Sequence, residues 1–411
     1  RRGALAVIVA VIVTAFGLLA VAGLTQVYGY RLGGTIAIPI LAVYTLKSFV
    51  MLPIYVLSSA VAYLGLGLLK NKTLIYGRAE LIYAILIGSL IPVTIFLTFG
   101  FLIQDLFQTV VFIGSILPGL AAYNYHQLDD ETRRWDLLTA AVVFVCLFGL
   151  GWFLVSAEFA PTLATAAPIT LYSRTADVAT WKGVAVNEPL SPVILPRLVT
   201  VLLFAVGMLL SERVRERYDI RIGVVSVALL AIFSLADRRL VYLYICLITI
   251  SYIAIQVIHR SSLLYGRVLV GIGAAFGIVA AIPLSIELGI TRGLSAFFVG
   301  ILAGVNAYNI HVAQPASRRL FVPLQFGSFV FLLCLTRLTG AVLPRGFPRQ
   351  FGLTEIIIGL IIVAVCFGYV EWQTFRKPDE EAISDRSILN RPNSSQDAAA
   401  LDNETSRETN T

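Results

Sequence analysis

Charged residues punctuate this chain at wide intervals, leaving long runs in which Asp, Glu, Lys and Arg are rare or absent. A bilayer core of about 30 Å is crossed by about 20 helical residues rising about 1.5 Å each, so such runs predict membrane-spanning helices. They fall at 4–27, 48–69, 81–103, 106–125, 137–156, 192–211, 240–258, 268–286, 294–313, 320–341 and 353–371. Two shorter runs, Leu32 to Leu46 and Ile222 to Ala236, hold 15 residues each. As helices they would be about 22 Å long, which leaves open whether the chain crosses there or re-enters. Residues 157–191, with Pro161, Pro168 and Pro189 among Ser, Thr and scattered charges, read as an extracytoplasmic linker. From Lys377 onward the chain is polar and has no apolar period, which predicts a disordered tail.

The pattern also repeats at a spacing of about 185 to 190 residues. Leu74-Ile75-Tyr76-Gly77-Arg78 recurs as Leu263-Leu264-Tyr265-Gly266-Arg267. The stretch from Gly119 through Asn124 to His126 recurs from Gly304 through Asn309 to His311, with Arg133-Arg134 matched by Arg318-Arg319. Tyr28, Arg31 and Gly33 recur as Tyr218, Arg221 and Gly223, and the two short runs occupy corresponding places. The expected fold is therefore an all-α polytopic membrane protein of about 13 transmembrane segments. Residues 1–156 and 192–342 would form two repeats of about six, residues 353–371 one extra C-terminal helix, and 377–411 an acidic cytoplasmic tail.

Composition and charge place this bundle in a membrane. Mean hydropathy is +0.86, with 58% hydrophobic and 13% charged residues, about half the usual charged fraction, which excludes a soluble globular fold. The net charge of +7 fits basic cytoplasmic loops better than a nucleic-acid footprint. If the short segments cross, sixteen bases fall on one side and eleven on the other. If they re-enter, equivalent motifs land on opposite faces. The positive-inside tendency favours crossing and parallel halves, in the plasma membrane, with the N-terminus outside and the tail in the cytoplasm. Cys146, Cys246, Cys334 and Cys366 lie apart in apolar runs, so neither a disulfide framework nor a metal site is indicated, and His126, His259 and His311 have no metal spacing. No known catalytic or cofactor-binding motif is present.

Three ordered motifs carry a resemblance. Gly33-Gly34-Thr35-Ile36-Ala37-Ile38-Pro39, then the Tyr76-Gly77-Arg78 turn, then Ile113-Gly114-Ser115-Ile116-Leu117-Pro118-Gly119-Leu120-Ala121 resemble the small membrane subunit of poly-gamma-glutamate synthase, the CapC/PgsC family. The resemblance covers about residues 5–156. The second half looks like a diverged copy, in which Ala303 stands where Pro118 would. It implies a non-catalytic membrane subunit of a machine that makes and exports a capsule-like anionic polymer. Its implied partners are membrane lipid, the polymer, an ATP-dependent amide ligase subunit and an export subunit, with no cofactor on this chain.

The candidate binding residues are Arg78, Arg133, Arg134, Arg267, Arg318 and Arg319, whose guanidinium forks match carboxylates, with Asn124 and Asn309 at helix ends. Tyr76, Gly77, Tyr265, Gly266, Pro39, Pro118 and Gly119 read as structural motif residues. Each has a plainer explanation: interface anchoring, insertion signals or capping. Glu80, Glu287, Arg337 and Glu355 lie in or beside apolar runs, where local pairing is expected. A secondary transporter built from two repeats and a membrane-embedded transferase stay open as alternatives.

Overall fold

The computed structural model describes residues 8–73, 78–99, 116–159, 171–172, 174, 176–185, 194–195, 197–218, 220–290, 292–339 and 342–375. Among them are fourteen helices and no strand. The first half contains α1 (Ile8–Tyr28), α2 (Ala37–Lys47), α3 (Met51–Lys72), α4 (Arg78–Phe99), α5 (Ile116–His126) and α6 (Asp130–Leu154), followed by the short α7 (Asp177–Trp181). The second contains α8 (Arg197–Tyr218), α9 (Val224–Ala236), α10 (Arg239–Ser262), α11 (Arg267–Glu287), α12 (Gly293–Val312) and α13 (Pro315–Thr339), and α14 (Leu353–Phe375) follows. The whole of the predicted tail, the linker around Pro161, Pro168 and Pro189, and the stretch 100–115 lie outside the described residues.

Eight described helices are long and apolar enough to cross a membrane: α1, α3, α6, α10, α11, α12, residues 317–339 of α13, and α14. Shorter apolar helical stretches cover 37–47, 79–91 and 227–236. The expected tally of about 13 was larger because it counted the two short runs as crossing, and for two further reasons. Parts of the runs 81–103 and 106–125 are not described, and α8 continues beyond its apolar run to Tyr218. That extension is held by charge pairs on its surface, Arg215 with Glu212 at 3.6 Å and Arg213 with Glu216 at 3.4 Å.

The short helices are short because an irregular stretch precedes each. Before α2, Gly29, Leu32, Gly33 and Gly34 all have positive φ, so the backbone leaves helical geometry there. Non-helical backbone at membrane depth needs protein partners. The fully buried Asp136 supplies them, accepting hydrogen bonds from the N–H groups of Arg31 at 2.6 Å and Leu32 at 2.9 Å. Asp136 lies in the second turn of α6, whereas Leu46, at the end of α2, packs on Gly151, near the end of α6. The segment 31–47 thus runs beside α6 from one end of the bundle to the other. The stretch 222–236 does the same beside α12 and α13: Gly223 lies against Asn306, and the Leu235 carbonyl accepts from Leu343 N–H at 3.0 Å.

Neighbour relations match between the halves. Helix α1 packs on α2 and α6, α2 on α3, α5 and α6, and α3, α4 and α5 pack on one another. Correspondingly, α8 packs on α9 and α13, α9 on α10, α12 and α13, and α10, α11 and α12 on one another. The closest approaches coincide as well. A Cβ at Gly119 would overlap the backbone of Ala84 and Ile85, and one at Gly304 would overlap the backbone of Gly273 and Ala274. Small residues at such crossings let helices approach closely where lipid removes the hydrophobic drive to associate. Helix α1 packs along α11, joining the halves, while α14 packs on α13.

Candidate functional site

One end of the bundle collects the loops 29–36, 126–130, 220–223, 263–266 and 312–315, and with them most of the candidate residues. Arg133 spans the α5–α6 turn: its Nε donates to the Tyr125 carbonyl at 3.0 Å, Nη2 to the Leu128 carbonyl at 2.7 Å, and Nη1 pairs with Asp130 at 2.8 Å. Its guanidinium also lies over the Tyr63 ring, 5.6 Å from the centroid. Arg318 clamps the corresponding α12–α13 turn, donating to the carbonyls of Ala313 at 3.0 Å and His311 at 2.7 Å. Both therefore have turn-holding work. A lysine cannot reproduce this fork, so Arg133→Lys and Arg318→Lys are each expected to cost about 1 kcal/mol of stability, read as a lower unfolding midpoint in detergent.

Arg134 and Arg319, one residue further on, are exposed. Tyr265 is exposed, Gly266 has φ +66°, and Arg267 begins α11. Tyr76 and Gly77 lie outside the described residues, and Arg78 is described only as the first residue of the α4 backbone.

Arg267 stands apart from the other arginines. Its Nη1 is buried and makes no hydrogen bond among the described residues, and the groups in electrostatic reach are Arg31, Asp136, Tyr123 and Tyr308. Arg221, the counterpart of Arg31, lies in reach of Tyr308. The glycine-rich segment builds this junction. Gly33 abuts Ala121 and Tyr125 of α5, Gly34 abuts Leu120 and Asn124, and Thr35 meets Gly271 of α11. Residues of both halves therefore surround one half-buried guanidinium with a single carboxylate nearby. A cluster with more cations than anions in a partly dry setting has the chemistry to attract an oxyanion.

The motif residues Pro39, Pro118 and Gly119 are buried at helix contacts, with Pro39 against Gly17. Asn124 donates to the Leu120 carbonyl of its own helix at 2.8 Å, and Asn309 donates to Asn306 at 3.4 Å. Glu80, nearly inaccessible to solvent, is paired with Lys70 at 3.0 Å and accepts from Gln127 at 3.0 Å. Gly352 N–H donates to the Glu355 carboxylate at 2.7 Å.

Sequence reasoning missed three features. Asp136 could have been flagged as the last charge before a long apolar run, but nothing in sequence links it to Arg31. Asn306 donates to the Tyr244 hydroxyl, which also accepts from Gln325 at 2.8 Å, forming a network buried between α10, α12 and α13. His259 and His311, far apart in sequence, meet edge to face with centroids 4.9 Å apart. Among the described residues no cluster of His, Cys, Asp or Glu is placed to hold a metal ion.

No curated protein and no solved structure matches the chain. Residues 16–134, which run from within α1 through α5 and include the glycine-rich segment and Arg133, match the family described as Capsule biosynthesis CapC, the family that the ordered motifs resemble.

Proposed function

We propose that this protein is a non-catalytic membrane subunit of a complex that makes and exports a capsule-like anionic polymer, poly-gamma-glutamate in the simplest case. An ATP-dependent amide ligase subunit and an export subunit would be its partners. The match to the capsule-biosynthesis family over 16–134 carries this conclusion. The basic junction around Arg267, and the exposed Arg134 and Arg319 beside it, support a polymer bearing a carboxylate on every unit. An exposed Arg–carboxylate pair is worth only about 0 to 1 kcal/mol, but several acting on one chain add through effective concentration. Changing Arg134, Arg267 and Arg319 together to Gln is therefore expected to reduce surface polymer well beyond any single change, at matched amounts of inserted protein. Undiminished polymer in the triple variant would remove these residues from the pathway.

In this proposal the two halves are copies of one unit in parallel orientation, each with a crossing short segment. The matched packing partners, and the matched glycines at 119 and 304, support it. The basic end then faces the cytoplasm, and α7 and the start of α14 lie outside. Trp181 and Tyr265 are each 76% exposed and lie at opposite ends, which makes them suitable labelling positions. An impermeant maleimide on intact cells is expected to label Trp181→Cys and not Tyr265→Cys in a background lacking the native cysteines. The reverse pattern would invert the orientation.

A further inference from the structure

The end of the bundle opposite the Arg267 junction carries a basic site of its own. A cavity of about 190 Å³ is lined by Asp237, Arg238, Arg239, Arg345, Gly346 and Arg349. Its walls are sewn together by backbone hydrogen bonds between the end of α9 and the loop before α14. Arg238 N–H donates to the Arg345 carbonyl at 3.1 Å, Leu343 N–H to Leu235 at 3.0 Å, and Phe347 N–H to Ser234 at 2.9 Å. Gly346 sits where any Cβ would overlap the Leu235 carbonyl. Arg239 is anchored on the carbonyls of Leu288 at 2.9 Å and Gly289 at 3.0 Å. Arg349 donates to the Pro344 carbonyl at 2.5 Å.

Two features suit an anionic ligand. The exposed guanidinium groups of Arg238 and Arg345 make no hydrogen bond or ion pair among the described residues. Four arginines line the cavity beside the single carboxylate of Asp237, which also has Arg292 in electrostatic reach. Arginines at the Arg267 end can be assigned to membrane insertion, because positive loops stay in the cytoplasm. The same rule cannot also explain a cluster at the opposite end. The backbone around the cavity and the side chains of Arg239 and Arg349 are held in place, and guanidinium forks fit oxyanions.

We propose that this pocket binds a carboxylate of the anionic polymer as the chain leaves the bundle. The proposal rests on the function proposed above. A neighbouring hollow of about 360 Å³, lined by Val342, Leu343, Pro344 and Arg349, shares Arg349 with the pocket and offers an apolar wall to the methylene groups of the adjoining unit.

The test uses the full chain in phosphatidylcholine nanodiscs, with a labelled decamer of γ-linked glutamate as probe. The binding is measured in a background with Arg134, Arg267 and Arg319 changed to Gln, so that the other end is silenced. Arg238→Gln with Arg345→Gln is expected to weaken binding at least tenfold, and the Lys pair at the same positions to recover part of it, with unfolding midpoints confirming that each variant is folded. Equal binding by the background protein and the Gln pair overturns the pocket. The functional proposal would then stand or fall separately, on polymer output. If the Gln pair instead abolishes retention of phosphatidylglycerol while leaving decamer binding unchanged, the pocket holds a lipid phosphate and the proposal is overturned.

Discussion

Alanine at Gly304 is expected to lower the unfolding free energy by about 1–3 kcal/mol, the usual range for overpacking a closely fitted contact, and a bulkier residue should block assembly of the second half. The added Cβ would fall on the carbonyl of Gly273 and the Cα of Ala274, which are backbone atoms that cannot rotate away. Helices α11 and α12 would have to separate along a contact where Gly277 and Gly300 are just as close. Alanine at Gly119 should behave alike, since it would meet the backbone of Ala84 and Ile85. Alanine at Gly149, which has nothing within 4 Å, is the internal control and should be neutral or slightly stabilising. Thermal unfolding of the three variants in one detergent gives the comparison. Equal midpoints for Gly304→Ala and Gly149→Ala would mean that the two helices do not meet this closely.

The second large effect is expected at Asp136. Asp136→Ala leaves the N–H groups of Arg31 and Leu32 without their acceptor, at about 1–3 kcal/mol for each buried donor left unpaired. It also removes the carboxylate nearest Arg267, leaving Arg31 and Arg267 facing each other uncompensated. Asp136→Asn keeps an acceptor oxygen but removes the charge, so it should retain much of the stability. Comparing the two separates the hydrogen-bonding role from the electrostatic one. The readout is the unfolding midpoint, together with protease accessibility of the 29–36 stretch, which should rise in the alanine variant. An alanine variant as stable and as protected as the parent would show that the irregular segment is held by something else.

How much of this was visible in the residues depends on the range of the interaction. Long apolar runs such as those of α1, α6 and α10 are legible because the bilayer thickness sets a length that composition alone reveals. Gly119 and Gly304 were legible as motif positions, but their role was not: each lets two helices meet backbone against backbone, a contact between separate helices that only glycine tolerates. The short segments were ambiguous, because whether a 15-residue run crosses depends on the irregular stretch before it, and that stretch is stabilised by Asp136, over a hundred positions away. Arginine pairs read as one class but divide in the structure. Arg133 and Arg318 are consumed by their turns, Arg134 and Arg319 remain exposed, and Arg267 is drawn into the junction between halves. The Asn306–Tyr244–Gln325 network and the pocket around Asp237 join residues from separate helices or loops, and no local pattern announces either.

The claim that this chain serves the production of an anionic surface polymer is tested most directly by quantifying that polymer in cells lacking the chain. The same cells are then supplied with the parent protein or with Arg31→Gln and Arg267→Gln together, at equal membrane levels. The polymer is predicted to vanish on deletion, to return with the parent protein, and to return only in part with the double variant. Polymer at the parental level in the deleted cells would contradict the assignment.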